Sequence, residues 1–285
     1  MKKIFWGCGM LLMMLACTPK NTKVDPFEGL TEMIDSAAHH HGQADSVCTV
    51  EVIQPSVPTL ADELFDDFIF NYASDTVLQK QRTVFPLPYY KGNTPLKIAE
   101  QDWKHDCLFT QQNYYTLLFD REDQMDAVED TSLTSVQVEW IYLKTHQVKR
   151  YYFERKQGMW MLEAINLRQI EKDGNENFVE FYPRFAADSV YQLNHVRHPL
   201  QFVTIDPDDE FSILETTLDA GQWMAFRPVL PLEKLTNINY GQENSDLSTS
   251  KILKVNGIGN GYSNIFYFRK RKGEWELYKF EDTSI

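Results

Sequence analysis

Phe65 to Leu87 reads FDDFIFNYASDTVLQKQRTVFPL, and Phe178 to Leu200 reads FVEFYPRFAADSVYQLNHVRHPL. Laid over one another without a gap, at an offset of 113, the two stretches agree at Phe65/Phe178, Phe68/Phe181, Ala73/Ala186, Asp75/Asp188, Val77/Val190, Gln79/Gln192, Pro86/Pro199 and Leu87/Leu200. A second pair follows in the same order. Tyr151 to Leu162 (YYFERKQGMWML) lies over Phe266 to Leu277 (FYFRKRKGEWEL) at an offset of 115, sharing Tyr152/Tyr267, Phe153/Phe268, Gly158/Gly273, Trp160/Trp275 and Leu162/Leu277. Two matches at nearly equal offsets mark an internal repeat. The chain reads as two copies of one unit, 60–171 and 172–285, whose middles align poorly.

Each copy opens with aromatics at i, i+3 and i+7 (Phe65, Phe68, Tyr72 and Phe178, Phe181, Phe185), which is one face of a helix and a core face. Asp75 and Asp188 read as caps of a short second helix, with a side-chain oxygen for its free N–H groups. Pro183 predicts that the second opening helix starts late or bends. Each copy closes with strands: 136–144, 148–154 and 159–165 in the first, and 251–255, 262–269 and 275–280 in the second. The linker 256–261 (NGIGNG) reads as a hairpin turn, since its glycines do not fit G-x-G-x-x-G and no helix follows.

A helical opening followed by an antiparallel meander is an α+β unit. Such a sheet can curl around the helix and leave a conical hollow. This layout resembles the nuclear-transport-factor-2-like (NTF2-like), or cystatin-like, superfold. The paired motif F-x-x-F…D-x-V-x-Q…P-L with the G-x-W-x-L ending is similar to that of uncharacterised two-domain lipoproteins of Bacteroidetes-type bacteria. The resemblance implies tandem NTF2-like units and carries no known activity, because the superfold serves isomerases, small-molecule binders and interaction domains alike.

The N-terminus has a separate meaning. Lys2 and Lys3 precede an uncharged run, Ile4 to Ala16, too short to span a bilayer. Met14-Leu15-Ala16-Cys17 resembles a bacterial lipobox, which implies cleavage between Ala16 and Cys17 and lipid on the Cys17 thiol. Residues 1–16 are then a signal peptide and 17–59 a lipidated flexible tether. Thr18-Pro19-Lys20 lacks an acidic run resembling a surface-export signal, which points to the periplasmic face of the outer membrane. Cys48 and Cys107 are left as either a disulfide or two free thiols.

A net charge of −13 argues against nucleic acid as a partner. Arg269 to Lys272 reads as a solvated hairpin turn. No metal site is expected: His39-His40-His41 lie in the tether without fixed geometry, and the acidic stretches 120–130 and 206–210 lack the pattern of an EF-hand loop. Nor is a cofactor or a catalytic residue assigned, since H-E-x-x-H, C-x-x-C, G-x-S-x-G and the P-loop are all missing. His195 and His198, spaced i, i+3, could share a helix face. An enzyme would need an acid or base inside the hollow: Trp103, His105 and Asp106 form a mixed cluster with Asp102 adjacent, Glu139 could face inward, and the tyrosine doublets would send one ring to each sheet face. The expected role is non-catalytic binding of an envelope protein or small ligand. The alternative is a small hydrolase or isomerase working in one conical pocket.

Overall fold

The computed structural model describes residues 64–170, 178–242 and 248–285. Cys17, Ala16, Cys48 and the histidine tract fall outside them. The first half runs α1 (Phe65–Ser74), α2 (Thr76–Gln81), β1 (Leu87–Lys91), β2 (Thr94–Ile98), β3 (Tyr114–Phe119), β4 (Ser135–Tyr142), β5 (Gln147–Lys156) and β6 (Met159–Gln169). The second runs α3 (Phe178–Ala187), α4 (Ser189–Asn194), β7 (Val196–Asp206), β8 (Asp209–Leu218), α5 (Ala220–Phe226), β9 (Lys234–Asn239), β10 (Ser250–Gly257), β11 (Ser263–Arg271) and β12 (Glu274–Asp282). The fold is α+β, with two six-stranded sheets and few helices.

The sheet orders are β2-β1-β6-β5-β4-β9 and β3-β10-β11-β12-β7-β8. Each sheet therefore takes its last strand from the other half. β9 pairs antiparallel with β4 (Val138 opposite Ile238), and β3 with β10 (Leu118 opposite Leu253). The two exchanged strands meet at Thr116 and Thr236. The Thr116 N–H donates to Thr236 Oγ1 at 2.8 Å, and the Thr116 hydroxyl donates to the Thr236 carbonyl. Asn237 holds the same crossing by accepting from the Leu118 N–H at 2.7 Å and donating to Glu139 at 2.8 Å.

The repeated residues make the same contacts in each half. Phe65 meets Trp160 edge-on at 5.1 Å, and Phe178 meets Trp275 at 5.4 Å. Phe68 lies 5.8 Å from Phe153, as Phe181 does from Phe268. Such pairs add about 0.5–1.5 kcal/mol each beyond their burial. Asp75 accepts from the N–H groups of Val77 and Leu78, and Asp188 from those of Val190 and Tyr191, capping α2 and α4. Phe85–Pro86 and His198–Pro199, at matching positions, are both cis.

Two expectations change. α3 does not start late: it begins at Phe178, the match of Phe65 in α1, and carries Pro183 inside it, where its aromatic face packs on Phe268 and Trp275. The concave faces are also not empty cones. Phe65, Phe68, Tyr72, Tyr151, Phe153 and Trp160 pack one, and Phe178, Phe181, Phe185, Phe268 and Trp275 pack the other.

Candidate functional site

The concave face of the first sheet is apolar at depth and polar at one end. Val138, Tyr151 and Ile165 form one buried cross-strand row with Ile238, and Tyr89 joins it from β1. Cross-strand partners share a face, and the face repeats every second residue. The next row outward on the same face is Lys91, Leu167, Lys149, Trp140 and Thr236. Beyond it lie Gln169, Gln147, Tyr142 and Lys234. Half-buried Trp140, Tyr142, Lys149 and Lys234, with exposed Lys91 at the edge, therefore line the mouth where the core ends.

The loop between β2 and β3 brings Asp106 to this mouth. Tyr151, 1% exposed, donates its hydroxyl to Asp106 Oδ2 at 2.5 Å, and Lys149 Nζ lies 3.3 Å from the same oxygen. The Leu108 N–H donates to the other oxygen at 3.0 Å. Burial alone would raise the Asp106 carboxyl, but Lys149, Tyr151 and the Leu108 N–H outweigh it and hold the group below its ordinary range. Burial also pushes the Tyr142 phenol up to about 12, helped by Asp106 and Tyr89, so it stays a donor at neutral pH. Lys149 Nζ sits 4.6 Å over the Tyr151 ring, and Lys234 Nζ 4.2 Å over the Trp140 ring.

Gln79 fixes the loop. Its amide nitrogen donates to the carbonyls of Tyr72 (3.1 Å) and Asp106 (2.8 Å), and its oxygen accepts from Trp103 Nε1 (3.2 Å) and the Asp106 N–H (2.8 Å). Gln192 repeats the device with the Phe185 carbonyl and Trp223 Nε1, while Arg227 supplies the third contact at 2.6 Å. Of the residues singled out from sequence, Trp103 and Asp106 meet through Gln79, and His105 contacts Thr76 at 3.4 Å. Glu139 is on the opposite face, buried and ion-paired with Arg150 at 2.5 Å. His195 and His198 do not share a helix face: His195 caps α4 and stacks on Tyr191 at 3.8 Å, whereas His198 lies in β7. Trp140, Lys149 and Lys234 were missed, because three strands from both halves bring them together. The available signal was lysine on a strand face whose inner positions are apolar.

A cleft of about 710 Å³ lies elsewhere, beside the 3-10 helix Glu122–Glu129, and is lined by residues that include Asp120, Asp123, Gln124, Tyr240 and Ser248. Two of its carboxylates are ion-paired within the chain, Asp120 with Lys251 and Asp123 with Arg121. Among the described residues no group of three or more His, Cys, Asp or Glu could hold a metal ion. Cys107 is disulfide-bonded, and every other cysteine lies outside the described residues.

A family profile described as a domain of unknown function (DUF4348) matches residues 44–282. The chain belongs to the DUF4348 family. The match takes in both sheets and the mouth. The crystal structure of an NTF2-like protein from Bacteroides fragilis is similar to this DUF4348 chain, with 65% identity and a TM-score of 0.76, covering 80% of this chain and 99% of that one. Comparison with curated proteins gives no match.

Proposed function

We propose that this DUF4348 protein is a membrane-anchored envelope binding module, and that the mouth of its first sheet takes a small ligand. The observation that carries the reading is the state of Asp106. A general base works best with a pKa near the working pH. Lys149, Tyr151 and the Leu108 N–H instead hold the Asp106 carboxyl below its ordinary range, which makes it a weak base and suits it to hold Lys149 in place. The surrounding rings and ammonium groups suit binding.

The anchor in this reading is lipid on Cys17 after removal of residues 1–16, with 17–59 as the tether and Cys48 as the partner of Cys107. The halves 60–171 and 172–285 are copies of one NTF2-like unit that exchange their third strands. The equal contacts of Phe65–Trp160 and Phe178–Trp275 support this. The periplasmic face of the outer membrane is the proposed location. Growth with an alkyne-tagged fatty acid should label the chain, and Cys17→Ser should abolish the label.

The binding role is tested by retention of small molecules from a polar cell extract on the full chain and on Trp140→Ala. Ligands held by the first and lost by the second support it. Retention of none, with turnover of a small substrate that Asp106→Asn abolishes, would replace it with the hydrolase or isomerase reading.

A further inference from the structure

We propose that the ligand of this mouth is a small organic anion, a carboxylate or phosphate on a ring-shaped body, held between Lys234 and Lys149 with Tyr142 as a hydrogen-bond donor. The inference rests on the reading of the mouth as a binding site and adds the chemical class. Three observations carry it.

The first is placement. Lys149 is the direct cross-strand neighbour of Trp140, and Lys234 of Tyr142. The two ammonium groups thus reach the mouth from either side of β4, across a floor of two aromatic rings. Both stand on the face that carries the core, Lys149 two residues from Tyr151 and Lys234 four from Ile238, where charge is costly without a partner. The second is what each lysine touches. Lys149 is tied to Asp106. Lys234 rests on the Trp140 ring and, among the described residues, makes no ion pair. A cation–π contact offsets only part of the loss of water. Burial accordingly lowers the Lys234 ammonium from its ordinary range, against the pull of Glu233 and Asp106. Glu233 itself is engaged by Lys144 at 2.8 Å. An incoming anion would supply the missing counter-charge.

The third is the other sheet. At the matching places it has Asn264 for Lys149, Tyr114 for Lys234 and Val255 for Trp140, set by the same pairings (Tyr114 opposite Gly257, Thr116 opposite Val255). The fold therefore builds this corner without cations. Two lysines converge in the first sheet of a chain whose net charge is −13. Rings beside a fixed charge favour a flat or cyclic body, and the ammonium pair selects its anionic group.

The test is calorimetric titration of the full chain in detergent with benzoate, phenyl phosphate and uncharged benzamide. One or both anions should bind with Kd below about 1 mM, and benzamide at least tenfold more weakly. Lys234→Gln should lose at least tenfold, and Lys234→Arg should recover most of it. The better anion should also slow acetylation of Lys234 by acetic anhydride several-fold, read by mass spectrometry, and leave exposed Lys80 unaffected. Benzamide binding as tightly as benzoate, with both lost in Trp140→Ala, would overturn the anion and leave the binding mouth standing. No binding by any of the three, or equal protection of Lys234 and Lys80, would overturn the proposal; no binding together with no Trp140-dependent ligand from cell extract would remove the mouth as well.

Discussion

Gln79 shows how much one side chain can organise. It is fully buried, and its amide uses both ends to tie the opening helix to the loop that carries Asp106. Gln79→Ala should leave the Trp103 indole and the Asp106 N–H without their acceptor and cost about 2–3 kcal/mol, measured by urea denaturation. Its match with Gln192 was visible in the sequence; its role as a four-contact hub was not, because its partners come from a loop with no pattern of its own. Asp106 gives a pH signature. Its folded value lies below the ordinary 3.8, so its contribution is complete above that value. That contribution is lost as pH falls through the lowered one. Asp106→Asn should therefore reduce stability at pH 7 and flatten the loss of stability on acidification below about pH 4. An unchanged acid limb in the variant would mean that other carboxylates set it.

At the scale of elements, the sequence was most legible where chain-local signals are strong. The aromatic spacing of α1 and α3 and the alternation in β4–β6 and β10–β12 mark those elements within a few residues. The middle of each half was opaque for a countable reason. The β7–β8 hairpin is longer than β1–β2, so the offset grows from 113 at the helices to 120 at Trp103/Trp223 and β3/β9. The longer β3–β4 connection then returns it to 115. Strand exchange left no local trace, since an edge strand of given composition can pair with either sheet. The two outer edges also differ. β2 carries Pro95 and Lys97, residues that discourage further pairing, whereas β8 exposes Phe211 at 91% and Ile213 at 56%. Phe211→Lys should change unfolding stability by no more than about 0.5 kcal/mol, because the residue is almost wholly exposed. A loss of several kcal/mol would show that this edge is covered in solution.

At the scale of the whole molecule, exchange of β3 and β9 makes each sheet depend on the other half. Losing either half strips the other of a paired strand and of the Thr116–Thr236 crossing. The mouth inherits the same dependence, since Lys234 comes from the second half while Lys149, Trp140 and Asp106 come from the first. A mouth assembled this way exists only while both halves are folded together. Trp160 sits in one core and Trp275 in the other, at 1% and 2% exposure. The direct measurement is equilibrium unfolding in urea, followed by native-state hydrogen exchange resolved to the segments around each tryptophan. The predicted result is one transition, with the same midpoint for both segments. Two separated midpoints, with one core intact after the other has opened, would contradict the intertwined architecture.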